Sequence, residues 1–344
     1  MNSWRPLLSG NLAKRAAEDA GAIAADLAGI DRPEEVAPSY GEDVAASLAT
    51  GTAGLAVALL TLGGLGLSTA GEEKGLEFLE ASTGAMATVE MDPDLFGGFT
   101  GIAWAVALLT AEDDGVADDP LSAVDPSIFE LVEEGVGGRH FDLVSGLVGF
   151  GVYALERLPR ASAVRAVERI VGELAFRAEP HGAGLAWRTR PEHLSPLQRE
   201  SNPGGWYDLG VAHGVAGIVG FLAQACAAGV AERKARELLD GAVAFLLEER
   251  AASPGGMSYW IPATGERRRA RSAWCYGDPG TAAVLLLAAR CVGEPAWKKA
   301  AREIALEAAA RPADDSGVVD ATLCHGAAGL AHLFNRIYQG TGDG

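Results

Sequence analysis

Two kinds of helix-length segment alternate along most of the chain. One kind is apolar on every side, as in Leu-Ala-Val-Ala-Leu-Leu after Gly54 and Ile-Val-Gly-Phe-Leu-Ala after Gly217. The other sets charges on one face and aliphatic side chains on the opposite one, as in Ala161 to Ala178, Ala231 to Arg250 and Pro295 to Ala310. That is the 3.6-residue period of an amphipathic helix. A Gly-x-x-Gly signal introduces each apolar segment. Six copies begin at Gly51, Gly98, Gly146, Gly214, Gly277 and Gly326, at intervals of 47, 48, 68, 63 and 49 residues.

A recurrence of this kind is the mark of a repeat architecture. Helices that are apolar all round belong inside, and amphipathic ones belong in an outer layer. Six such pairs predict an all-α fold, an α/α toroid with six inner and six outer helices and the glycine turns gathered at one mouth. Ring closure removes the exposed ends that an open helical solenoid would leave. We read residues 1–344 as one domain, with the repeats running from about 40 to 340. Glycine suits the turns because it adopts positive φ without strain and lets backbones approach closely. The longer intervals before the fourth and fifth copies contain Pro191, Pro196, Pro203 and Pro254 and the extended-looking run Met257 to Ile261. They predict insertions at the rim.

The net charge of −18 excludes nonspecific attraction to nucleic acid or to an anionic membrane surface. Arg267, Arg268, Arg269 and Arg271 form one basic spot, read as a solvated loop, and the acidic stretch Glu112 to Asp119 reads the same way. The Gly51 to Gly71 stretch is nearly apolar but interrupted by glycine and without flanking basic anchors, so a buried helix is expected rather than a membrane span. The N-terminal sequence has no export signal, which predicts a cytoplasmic protein. Four cysteines, at 226, 275, 291 and 324, are too few for a disulfide framework in 344 residues.

Cys275 and the pair Cys324-His325 lie just before the fifth and sixth Gly-x-x-Gly signals. Equivalent turns of neighbouring repeats come together in a ring, so two thiols and an imidazole converge. These are three ligands of the kind zinc prefers, with a fourth tetrahedral position open for catalysis. For any one of them taken alone, a small buried side chain is the plainer reading. Cys226 and Cys291 read as core thiols, and His332 as a core or lumen residue. His140, His181 and His193 carry no spacing signal.

Trp274-Cys275-Tyr276-Gly277 and Cys324-His325-Gly326 resemble the two zinc-ligand motifs of the lanthionine synthetase C-like (LanC) family, and Ala212-His213-Gly214 is similar to that family's Ala-His-Gly motif. The resemblance implies Zn2+ held by Cys275, Cys324 and His325. It implies His213 as catalytic acid or base, with Asp142, Arg271 and Tyr276 as active-site polar groups. The implied activity is a cyclase, adding cysteine thiols of a leader-bearing, dehydrated precursor peptide to dehydroalanine or dehydrobutyrine after a separate dehydratase has acted. Two other readings stand beside it: addition of glutathione or another small thiol to dehydroamino acids, and a non-catalytic, zinc-stabilised peptide-binding toroid. The segments Arg177 to Trp206 and Ala252 to Arg271 look short for a stand-alone cyclase, which bears on leader docking.

Overall fold

The structure is a computed structural model that describes residues 4–30, 32, 35–37, 39–110, 119–135, 138–253, 255–262 and 268–342. Two compact units divide the chain, one formed by residues 1–134 and 144–162, the other by 135–143 and 163–344.

In the first unit, helices α1 (Gly10–Ala28), α2 (Glu42–Ala46), α3 (Thr52–Gly64), α4 (Thr69–Thr88), α5 (Phe99–Thr110), α6 (Asp125–Gly135) and α7 (Leu147–Glu156) follow one another. Ala24, Ala56, Leu59 and Phe78 form one buried cluster, joining α1, α3 and α4. Ala46, Ala53, Ile102 and Ala105 form a second, joining α2, α3 and α5. The abundance of alanine at these contacts is what lets helices pack closely. The acidic stretch 112–118 lies outside the described residues. Asp119, its last member, is not merely solvated: it pairs with Arg160 at 2.7 Å and also with Arg157, which in turn chelates buried Asp125.

The second unit contains α8 (Ala161–Arg177), α9 (Pro196–Ser201), α10 (Val215–Ala227), α11 (Glu232–Ala251), α12 (Asp278–Val292), α13 (Pro295–Ala309) and α14 (Ala327–Thr341). Between α8 and α12 run five short strands. β1 (Glu179–His181) and β2 (Gly184–Ala186) form a hairpin, while β3 (Arg188–Thr189), β4 (Trp206–Asp208) and β5 (Trp260–Pro262) form an antiparallel sheet in that order. These fall in the two long intervals where insertions were expected, with strand content placed by pairing across them. The predicted apolar helices appear as α3, α5, α7, α10, α12 and α14. Eleven of the thirteen residues of α10 are buried, whereas α14 buries only Gly329, Leu333 and Ile337, every fourth position. His332 is exposed, so it is not a core residue. Among the described residues no helix is long and apolar enough to cross a membrane.

The Gly-x-x-Gly signals sit at the starts of these helices, for a reason different in emphasis from the one expected. The first glycine is the N-cap of α3, α7, α10, α12 and α14, and its φ is extended in four of the five, between −99° and −131°. Only Gly277, with φ of 96°, occupies the left-handed region that glycine tolerates. What the motif needs is close backbone approach. A Cβ at the second glycine would stand 2.2 Å from the Trp274 carbonyl oxygen at Gly280, and 1.9 Å from that of Leu323 at Gly329. The chain folds back on the residue six positions earlier, and only a hydrogen fits between.

Candidate metal centre and its surroundings

Counting each turn from its first glycine gives a common register. The residues two before it are Ala49, Phe96, Val144, Ala212, Cys275 and Cys324. In the first unit Ala49 N–H donates to the Phe96 carbonyl at 3.0 Å and Phe96 N–H to that of Val144 at 3.3 Å. In the second, Leu143 N–H donates to Ala212 at 3.2 Å, Val211 N–H to Cys275 at 2.8 Å and Trp274 N–H to Cys324 at 3.0 Å. The acceptor is always the carbonyl two residues before the glycine. Turn-to-turn bonding of this kind satisfies backbone groups that would otherwise be buried unpaired, and it sets successive turns side by side.

Two of those register positions carry thiols, and the next position along the sixth turn carries His325. Donor atoms of Cys275, Cys324 and His325 all lie within 4.8 Å of one another. Cys275 is buried, and Cys324 and His325 are half-buried. A hydrogen bond from Cys275 pulls the Cys324 thiol well below its ordinary pKa, an effect that the neighbouring His325 and Arg271 reinforce. Cys275, as the partner that keeps the proton, is pushed up by the same bond and by burial. Asp320 Oδ2 lies 3.3 Å from His325 Nε2, which fixes the ring and leaves Nδ1 for another partner. Two soft sulfurs, one of them poised as thiolate, and an oriented imidazole fit zinc in both donor chemistry and spacing.

The other expected site residues line up along the same turns. His213 and Tyr276 share His325's register, one residue before the glycine. His213 Nδ1 is 2.5 Å from Asp142 Oδ2. Burial alone would lower the His213 pKa, but the bond to Asp142, its charge and that of Asp208 outweigh burial and raise it. Burial would raise Asp142, yet the imidazoles of His140 and His213 beside it hold it well below the carboxylate range. The ring of His213 lies 6.4 Å from that of Tyr276. Arg271 Nε donates to the Tyr259 hydroxyl at 3.3 Å, and the Tyr259 ring lies 5.1 Å from Tyr276. Of the basic run, Arg268 and Arg269 are exposed and Arg267 lies outside the described residues.

Four polar residues that sequence reasoning passed over belong here. Asp208 accepts the Tyr276 hydroxyl at 3.0 Å, and burial raises its pKa to about 6 against the Gly210 N–H and Tyr276. Asp208 and Asp320 stand six residues before their glycines and each accepts the N–H two residues on, at 2.9 and 2.8 Å. That shared register was a legible signal. Tyr259 arrives through backbone pairing of residues 257–259 with 268–270, and His140 through its contact with Asp142, neither of which spacing reveals.

Three residues after Cys275, buried Asp278 ties the segments around Arg250 and Arg311 together. It pairs with Arg250 at 2.8 Å and Arg311 at 2.9 Å, and it accepts the Met257 N–H. Arg311 also donates to the Ala270 carbonyl and the Ser272 hydroxyl. Asp278→Ala is expected to strand two half-buried guanidinium groups and to cost about 3–5 kcal/mol, read as a lower urea midpoint with unchanged slope.

A family model described as lanthionine synthetase C-like protein matches residues 42–344. Among curated relatives, the glutathione S-transferase LANCL1 of Danio rerio is 30% identical over 166 residues, spanning 47% of this chain and 38% of that protein. The nisin biosynthesis protein NisC of Lactococcus lactis subsp. lactis is 24% identical over 319 residues, or 85% of this chain and 74% of that protein. A solved nisin cyclase superposes with a TM-score of 0.74 at 22% identity, covering 96% of this chain and 82% of the other. That likeness shows the fold class, the all-α α/α toroid predicted from the repeats. With the family match extending from Glu42 to the last residue, the chain belongs to the lanthionine synthetase C-like family.

Proposed function

We propose that this chain is a zinc-dependent cyclase that closes thioether rings by adding peptide cysteine thiols to dehydroalanine or dehydrobutyrine. The observation that carries this reading is the convergence of Cys275, Cys324 and His325 within 4.8 Å, on turns bonded to the one that holds His213. Both units carry the same repeat, and we treat residues 1–344 as one domain.

Bound zinc would supply a Lewis acid that keeps a substrate thiol as thiolate near neutral pH. The chain's own residues account for the rest. In the addition, a C–S bond forms at the β-carbon, the double bond's electrons move toward the α-carbon and carbonyl, and a proton must be delivered at the α-carbon. His213, whose protonated form Asp142 favours, is the group we assign to hold that proton. Arg271, held by Tyr259, offers a fixed positive charge for the oxygen on which charge builds. Tyr276, its hydroxyl committed to Asp208, walls the site between His213 and Arg271. The thiol's proton is balanced by the one gained at carbon, so product and substrate have equal mass.

The substrate in this reading is a dehydrated precursor peptide with its leader, supplied by a separate dehydratase in the cytoplasm. The kinship with LANCL1 favours a second reading, in which glutathione is the thiol that adds. Incubation of the purified protein with a dehydrated cysteine-containing peptide, with and without glutathione, separates them. Ring closure abolishes thiol alkylation without mass change, and glutathione addition raises the mass. Loss of neither thiol nor electrophile would overturn both. Cys275→Ala and Cys324→Ala are each expected to reduce bound zinc from one equivalent to well below one, measured by elemental analysis after dialysis.

A further inference from the structure

Asp142 shares its carboxylate between two imidazoles, and the second of them faces a pocket that the proposed chemistry does not use. His140 Nδ1 accepts the Asp142 N–H at 3.2 Å and lies 3.4 Å from Asp142 Oδ2. With Nδ1 accepting, the neutral ring carries its proton on Nε2. That Nε2 is buried and has no hydrogen-bond partner, a costly arrangement for a polar atom unless something else meets it. His140 lines a pocket together with Arg177, Glu179, Arg188, Arg190 and His193.

The lining sets three guanidinium groups against one carboxylate, in a protein whose net charge is −18. Glu179 is already spent on Arg188, at 2.9 Å, and on the Tyr207 hydroxyl. Arg177 is anchored through Nε to Glu173 at 2.7 Å and through Nη1 to the Arg139 carbonyl, so its position is fixed by groups outside the pocket. Arg190 has a long contact of 3.9 Å to Glu192 and remains more than half exposed. Burial and the neighbouring His140, Arg177 and Arg190 depress the His193 pKa, against the pull of Glu192, as a positive local potential would. Apart from the segment of His140, which precedes the third repeat, the pocket is assembled by the end of α8, β1, β3 and the turn at 191–193, all between the third and fourth glycine turns.

We propose that this pocket binds a small oxyanion, of the class of phosphate or a free carboxylate, through the guanidinium groups of Arg190, Arg177 and Arg188 and the Nε2–H of His140. Guanidinium groups match the paired oxygens of both anions, and the buried Nε2–H supplies a directional donor at the inner end. Because His140 also contacts Asp142, an anion seated here would stand one residue from the His213 pair.

The test is a calorimetric titration of the full chain in a low-salt zwitterionic buffer at two temperatures. Inorganic phosphate and acetate are titrated separately, against sodium chloride at matched ionic strength. Saturable one-site binding is expected for at least one of the two, weakened tenfold or more in Arg190→Gln and unchanged in Arg268→Gln, an exposed arginine outside the pocket. Tighter phosphate than acetate identifies a tetrahedral oxyanion, and the reverse a carboxylate. No saturable binding of either anion at both temperatures, or equal affinity in the wild type and Arg190→Gln, overturns the proposal. Neither result depends on cyclase activity.

Discussion

His213→Gln is expected to lower the rate of thioether formation by roughly 10²–10⁴-fold, the usual worth of a positioned general acid, while bound zinc stays at one equivalent. The unchanged metal content separates loss of the proton donor from collapse of the site. The pH dependence gives a sharper test, because the acid works only while protonated. Asp142 and Asp208 raise the His213 pKa above its ordinary 6.5, with the charge of Cys324 acting in the same direction. Activity is therefore full below that raised pKa and falls as pH rises through it. In Asp142→Asn the largest raising contribution is gone, and the alkaline fall should move to lower pH. An alkaline limb that stays in place in Asp142→Asn would remove His213 as the titrating acid.

The second large effect falls on a residue with no chemistry. Gly329→Ala puts a Cβ where the Leu323 carbonyl oxygen lies 1.9 Å away, and backbone rather than a flexible side chain must give. Leu323 immediately precedes Cys324, so the shift is carried into a proposed metal ligand. We expect a loss of about 3 kcal/mol in stability, at the upper end of overpacking costs, together with weaker zinc binding in a competition titration. Gly220→Ala is the contrast. Its Cβ would meet only Val284 Cγ1 at 3.9 Å, and removing a helix-interior glycine should leave stability equal or slightly higher. Equal effects from the two substitutions would show that the close approach at Gly329 is not what the motif requires.

The repeats, the alternation of apolar and amphipathic helices and the trio Cys275, Cys324 and His325 were legible in the sequence because each is a local signal repeated in a fixed register. Apolar periodicity reports which face of a helix is covered, and spacing from a recurring glycine reports which turn positions are equivalent. Neither reports pairing across long intervals. Tyr259 reaches Arg271 because residues 257–259 pair back onto 268–270, with Ser258 bridging Arg269, while β5 pairs with β4 more than fifty residues away, and nothing in Met257 to Ile261 names either partner. His140 escaped for a related reason, since its role is decided by the ring nitrogen nearest Asp142 and not by its place in a motif. The reading of the glycines was right about close approach and too general about positive φ, which only one of the five N-capping glycines uses.

The backbone bonds that join successive turns run to the carbonyl of one register position whatever side chain it bears: phenylalanine, valine, alanine or cysteine. Folding therefore asks nothing of that side chain. A toroid of this design carries a set of interchangeable sockets around its turns, in which ligands can be gained or lost without rewriting the scaffold. Two adjacent sockets filled with cysteine, beside His325, bring together the donor set of the proposed metal site; the same sockets filled with alanine would leave a stable shell without it.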